Sequence, residues 1–320
     1  MRMIGWKRRS GFAWGEPWAA LGCLVALVVC LPLAAAGAEE PPVAAAAAPA
    51  GSVRVLKDLP YKSGDTLDDY ERERCKLDLY LPADGGKGFA TVVWFYGGGM
   101  EGGEKGGRAN VRIATALAQN GVACAAVNYR LSPRAKYPAY LDDAAAGVAW
   151  ALGNVAGHGG DPTRVFVSGH SAGAFLAAAV GFDPKFLKPY GVSTDRLAGL
   201  IPLSPQVFTH FAIRKERGVP NPQTTPVIDA DAPAYHARPD APPTLILIGD
   251  DDWPTRLEEC RYFIKLLNVM KHPDASLRVI AGRNHNSIAD KASEPGDPAM
   301  GAMLEFIAKR SAGGDRATGR

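Results

Sequence analysis

Gly169-His170-Ser171-Ala172-Gly173 is the stretch whose reading decides the fold. It follows a short apolar run, Val165-Phe166-Val167, and opens an Ala-rich segment from Ala174 to Val180. Strand, sharp turn and helix in that order give G-x-S-x-G its meaning: the turn presents a serine hydroxyl as a nucleophile. The glycines follow from the same geometry. Side chains at 169 and 173 would collide with the neighbouring strand and helix, so both positions need a residue without Cβ.

A second signal is Tyr96-Gly97-Gly98-Gly99, directly after the apolar run Ala90-Thr91-Val92-Val93-Trp94-Phe95. Three glycines let the backbone approach a substrate and aim N–H groups at a developing oxyanion. Gly102, Gly103, Gly106 and Gly107 follow, which also suits a plain flexible turn. The order of strand, Gly triplet and candidate serine, about seventy residues on, favours the chemical reading.

Further segments carry a resemblance. Lys76-Leu77-Asp78-Leu79-Tyr80-Leu81-Pro82, Asn128-Tyr129-Arg130-Leu131-Ser132-Pro133, Tyr137-Pro138-Ala139 and Gly160-Asp161-Pro162-Thr163-Arg164 are the relevant ones. With the serine turn and the Gly triplet, they make residues 70–310 resemble the hormone-sensitive-lipase and acetyl-esterase branch of the α/β-hydrolases, the BD-FAE-like esterases among them. The resemblance implies an α/β fold with a mostly parallel eight-stranded sheet and helices on both faces. It also implies a Ser-His-Asp triad and an oxyanion hole from the amides of Gly98, Gly99 and Ala172. One position departs from the pattern: Tyr96 stands where the family usually has His before the glycines.

A serine hydroxyl needs a base, and the base needs an orienting acid. In this fold the order is Ser, acid, His. Of six histidines, His158 precedes the serine, His170 sits beside it, and His210 and His236 come before any suitable acid. His272 falls at a helix end, where a cation suits the dipole. His285, in Gly282-Arg283-Asn284-His285-Asn286 after the last strand, is the candidate base. The acid should leave the strand Thr244 to Ile248, where Asp250, Asp251 and Asp252 all qualify. The family pattern G-x-x-D, aligned from Gly249, selects Asp252; that residue is equally suited to cap the helix beginning near Pro254. Asp142 and Asp143 could serve a cation or brace loops by hydrogen bonds, and the second reading is preferred.

Expected strands are 53–57, 76–81, 90–95, 122–128, 165–168, 198–203, 244–248 and 276–280. Expected helices are 108–120, 138–154, 172–182, 254–271 and 298–310. Reacting groups gather at the C-terminal strand ends of such sheets. Segment 205–243 is Pro-rich and reads as a small cap supplying Phe208, His210, Phe211 and Tyr235.

Length and composition bound the rest. The 320 residues suit one domain of this kind, and 47% hydrophobic residues with six tryptophans and eleven phenylalanines exclude a disordered chain. Lys7, Arg8 and Arg9, the apolar run Ala19 to Leu33 and Ala36-Gly37-Ala38 read residues 1–38 as a signal peptide, implying a secreted or periplasmic protein. The alternative, a retained anchor at 19–33, is short against the roughly twenty residues a span needs. Without residues 1–38 the chain holds 32 basic and 32 acidic residues, which argues against nucleic acid or an anionic membrane surface as partner. Residues 39–52 read as an Ala/Pro linker, 53–312 as the catalytic domain and 313–320 as a tail. Cys75, Cys124 and Cys260 allow at most one disulfide, and no metal or cofactor pattern is present. The expected partner is a small-molecule ester with a short acyl group. Amide hydrolysis of the arylformamidase or peptidase kind, and a non-catalytic binding role on the same scaffold, are the alternatives.

Overall fold

Strand pleating distributes the apolar runs. In β3 (Phe89–Phe95), Val93 and Phe95 enter one hydrophobic core while Val92 and Trp94 enter another. In β4 (Ala123–Val127), Ala123, Ala125 and Val127 join the first core and Cys124 and Ala126 the second. Both faces of these strands are covered, which is why they read as continuous rather than alternating apolar runs.

The computed structural model describes residues 53–82 and 86–312. The signal peptide, linker and tail expected at 1–38, 39–52 and 313–320 lie outside the described residues. β1 (Arg54–Pro60), β2 (Lys76–Leu81), β5 (Gly160–His170), β6 (Gly199–Leu203), β7 (Thr244–Asp251) and β8 (Ala275–Asn284) complete one eight-stranded sheet. Its order is β1-β2-β4-β3-β5-β6-β7-β8. β2 pairs antiparallel with both neighbours, and every pair from β4 to β8 is parallel. α3 (Ala139–Asn154), α4 (Ala172–Phe182) and α6 (Arg256–Val269) pack on one face through residues such as Tyr140, Phe175 and Phe263. α2 (Arg108–Gln119) and α8 (Pro298–Ala312) cover the other through Ile113, Leu117 and Met303. This is the α/β-hydrolase architecture that the resemblance implies.

Three helices were not expected: α1 (Asp69–Arg74), α5 (Phe211–Glu216) and α7 (Ser287–Asp290). Each is too short to show a helical hydrophobic period. α1 is held by a capping box between Asp68 and Glu71 and buries none of its own residues. β7 and β8 run past their expected ends because pairing resumes beyond an irregularity, with Asp251 opposite Asn284. Segment 205–243 is tied to the first core by Val207, Ala212, Ile213 and Ala234. Tyr235 does not belong with the inward-facing cap residues: it is 61% exposed, while His210 is buried and Phe208 and Phe211 are half-buried. The three cysteines at 75, 124 and 260 are buried free thiols.

Candidate active site

The turn between β5 and α4 is built as its glycines require. A Cβ on Gly169 would stand 2.5 Å from the Phe95 carbonyl oxygen, and one on Gly173 only 2.1 Å from it. Ser171 between them has φ 55° and ψ −116°, a region that costs a non-glycine residue about 1–3 kcal/mol. Surrounding structure holds it there: Ser171 N–H donates to Leu203 O at 2.9 Å, and Ser171 O accepts from Phe175 N–H at 3.0 Å.

Two strand ends bring partners to that serine. His285 follows β8 in a turn where Asn284 Oδ1 accepts from the amides of Asn286 and Ser287. Gly249 in β7 lets this turn approach, since a Cβ there would lie 2.0 Å from Arg283 O. His285 Nε2 lies 2.8 Å from Ser171 Oγ, and its Nδ1 lies 2.8 Å from Asp252 Oδ1. Ser171 and His285 are 6% and 3% exposed, so the relay is sheltered from water. A carboxylate only accepts, so His285 Nδ1 carries the proton in the neutral ring and Nε2 is free to accept from the serine.

Asp252 has two further donors. Ser204 Oγ donates to its Oδ2 at 2.5 Å and the Trp253 amide to its Oδ1 at 2.7 Å. Burial raises the pKa of this carboxyl, but the hydrogen bonds from His285 and Ser204 outweigh it and hold the group below its ordinary value. Ser204 itself has φ 52°, and its carbonyl accepts from Arg256 Nη1 at 3.2 Å. The Trp253 ring stacks on His285, centroids 3.7 Å apart and 18° from parallel. On the other side, His170 Nε2 lies 2.6 Å from His285 O. Burial, then the neighbouring His285, pull His170 down to about 4, so it is neutral near pH 7 and donates to that carbonyl.

None of these supports was found in the sequence. Ser204, Trp253 and His170 are ordinary residues whose partners lie elsewhere in the chain or across a ring face. The one available signal was position, since all three stand at C-terminal strand ends.

The Gly triplet is braced through Tyr96. Its ring stacks on Tyr129, centroids 4.4 Å apart, and Tyr129 Oη donates to Tyr96 O at 2.8 Å. Arg74 donates to Tyr96 Oη and, at 3.1 Å, to Gly103 O. Gly98 and Gly99 have φ of 129° and 65°, and a Cβ on Gly98 would meet Gly102 O at 2.2 Å. Among the described residues the Gly98 and Gly99 amides donate to no protein acceptor. Ala172 is the first residue of α4, where an N–H has no intrahelical partner.

Asp250 and Asp251 are both exposed, and among the described residues Asp250 accepts only from the Arg283 amide, at 3.2 Å. None of His158, His210, His236 and His272 hydrogen-bonds to Ser171; His210 caps α5, His236 faces Ala230 O and His272 faces Ala241 O. Asp143 braces loops: it accepts from Arg130 and Lys62. Among the described residues no group of three or more His, Cys, Asp or Glu is placed to hold a metal ion. A cavity of about 270 Å³ opens beside the relay, walled by Trp253, Phe211, Gln206 and Arg256.

Similarity to known proteins accords with this geometry. A family model described as BD-FAE matches residues 77–188. The probable carboxylic ester hydrolase LipM of Mycobacterium tuberculosis is 28% identical over 244 residues, 70% of this chain and 56% of that protein. The probable isoprenylcysteine alpha-carbonyl methylesterase ICMEL1 of Oryza sativa subsp. japonica is 39% identical over 109 residues, 34% of this chain and 25% of that protein. The chain thus spans between a quarter and just over half of these relatives. Among solved structures, a truncated carbohydrate esterase from gut microbiota matches with TM-score 0.68 and 18% identity, covering 83% of this chain and 99% of that one. Esterase 2 of Thermogutta terrifontis, phosphoramylated by tabun, matches with TM-score 0.64 and 23% identity, covering 81% and 95%.

Proposed function

We propose that this α/β-hydrolase, of the hormone-sensitive-lipase and acetyl-esterase type that its sequence resembles, is a serine carboxylic-ester hydrolase acting on short-acyl esters. The observation that carries the reading is the unbroken relay from Ser171 Oγ through His285 to Asp252, with 2.8 Å at each step. Ser171 attacks the ester carbonyl while His285 Nε2 takes its proton. Asp252 keeps His285 in the tautomer that can accept, and balances the imidazolium as it forms. The amides of Gly98, Gly99 and Ala172 face the developing oxyanion, a term worth roughly 3–4 kcal/mol per donor in related sites. His285 then returns the proton to the leaving alcohol. Water repeats the sequence on the acyl-enzyme and releases the acid.

The small cavity supports a short acyl group, because each further methylene contributes its ~0.8 kcal/mol only if buried. We also read residues 1–38 as an export signal, which N-terminal sequencing of the mature protein from its host tests directly.

The decisive experiment is covalent labelling with a fluorophosphonate, followed by peptide mapping and a p-nitrophenyl ester series from acetyl to dodecanoyl. Label on Ser171, turnover falling beyond butyryl, and loss of roughly 10⁶ in kcat in Ser171→Ala are expected. Label elsewhere, or substantial turnover by Ser171→Ala, overturns the reading.

A further inference from the structure

We propose that the cavity system beside Trp253 binds a carboxylate carried by the ester substrate, with Arg214 and Arg256 as its cations. This rests on the ester-hydrolase reading above and names a substrate class within it.

Arg214 stands on α5, in the segment that lies between β6 and β7. It is 2% exposed, and its Nε and Nη2 are buried with no hydrogen-bond partner among the described residues. None of the ion pairs among those residues uses it. A buried guanidinium with idle N–H groups is costly, and proteins seldom keep one without a use. Arg214 lines a cavity of about 350 Å³. Gln223, Thr224, Thr255 and Glu259 line both this cavity and the one walled by Trp253 and Phe211. Trp253 stacks on His285, and the Phe211 ring lies against Gly99, where an added Cβ would meet it at 2.9 Å. Trp253 and Phe211 thus connect the serine site to the nearer cavity, and the four shared lining residues connect that cavity to the one lined by Arg214.

The charges decide the ligand. Arg256, 5% exposed, lines the nearer cavity with its guanidinium 5.4 Å from the Trp253 ring centroid. Glu259 is acted on by both arginines, and among the described residues its Oε2 is buried without a hydrogen-bond partner. Glu258 also lines the cavity of Arg214, but it is exposed and pairs with Arg261 at 3.6 Å, so the two buried arginines face one buried carboxylate, an excess of a single positive charge that fits a monoanion better than a phosphate dianion. A planar carboxylate also matches the guanidinium fork. Gln223, Thr224 and Thr255 add polar groups around it.

Two matched pairs of esters test this on the full chain. In the acyl arm, p-nitrophenyl hydrogen glutarate is compared with p-nitrophenyl pentanoate, after subtracting uncatalysed hydrolysis. In the alcohol arm, 4-(carboxymethyl)phenyl butyrate is compared with its carbamoylmethyl counterpart. The acid should win in kcat/KM by about tenfold in one arm, the scale of one charge-assisted hydrogen bond, and mainly through KM. Arg214→Met should collapse that ratio, and 1 M salt should shrink it. If Arg214→Met does not fold, Arg214→Lys, which keeps the charge and loses the fork, should cut the ratio instead. No preference for the acid in either arm overturns the proposal. So does an equal loss on acid and neutral esters in the variants, which would make Arg214 and Glu259 a structural pair. Failure to hydrolyse any of the four esters would count against the ester-hydrolase reading, whereas turnover of the neutral esters without acid preference removes this inference alone.

Discussion

Asp143 and Asp252 both bury their carboxyls and both hold them below the ordinary pKa, yet their surroundings differ in kind. Asp143, on α3, accepts from Arg130 through the backbone amide, Nε and Nη2 at 2.8–2.9 Å, and from Lys62 Nζ at 2.5 Å. Burial raises its pKa, and the bonds from these two fixed cations more than reverse that. Asp252 accepts from a hydroxyl, an amide and an imidazole, none of them a permanent cation. A carboxylate matched by arginine and lysine has its countercharge at all times and can only clamp. A carboxylate matched by imidazole is prepared for a positive charge that exists only while His285 holds the serine proton. On the mechanism proposed above, the same buried group is structural in one place and poised for chemistry in the other, and the partner decides which.

The comparison predicts opposite phenotypes for one substitution. Asp252→Asn should cost roughly 10⁴ in kcat, because an amide favours the wrong His285 tautomer, while the melting temperature barely moves. A loss under tenfold would mean that Asp252 is a second clamp. Asp143→Asn should reverse the pattern. Removing the charge leaves Arg130 and Lys62 short of a partner, at about 3–5 kcal/mol in a urea titration. Turnover per folded molecule should stay near wild type. A large fall in kcat with unchanged stability would put Asp143 on the reaction path.

Several parts of this picture were legible in the sequence for physical reasons. G-x-S-x-G and the Gly triplet are local devices, so their spacing reports the turn that needs them. His285 followed from chain order, and the long parallel strands from their apolar runs. The three adjacent aspartates could not be separated from their residue types alone, because direction at a strand end depends on how pairing resumes after Gly249. Ser204, the Trp253 stack and the Arg74–Tyr96 brace were invisible, since each joins residues far apart in sequence or meets across a ring face. Arg214 carries no signal of its own in a Pro-rich segment; only packing buries it.

His170 extends the comparison to pH. It titrates near 4 in the folded chain, against 6.5 for an unperturbed ring. Between those values the unfolded chain takes up a proton that the folded chain refuses. Its contribution to stability is therefore complete above about pH 6.5 and is lost as pH falls towards 4. Buried His210, held well below its ordinary value by burial, acts with the same sign. Urea midpoints at pH 7.5 and 4.5 should show wild type losing on the order of 2–3 kcal/mol more than His170→Gln. Parallel losses would mean that the ring is protonated in place, with Nε2–H still donating to His285 O.

The smallest effects should come from the two aspartates beside Asp252. Asp250 and Asp251 are exposed, so water already solvates their charges and neither faces a buried cation or imidazole. Asp250 accepts from the Arg283 amide at 3.2 Å, and an asparagine oxygen can accept that bond equally well. Asp251 continues the β7–β8 pairing opposite Asn284 through its backbone, which a side-chain change leaves in place. Asp250→Asn and Asp251→Asn should each stay within about 0.5 kcal/mol in stability, and within about twofold in kcat. Kinetics on the three single variants side by side make the sharpest check, because the substitution is chemically identical and only the surroundings change. Were Asp251→Asn the crippling change while Asp252→Asn stayed active, the orienting carboxylate would be an exposed one. Burial against an imidazole would then no longer distinguish the reacting aspartate from the clamp at Asp143.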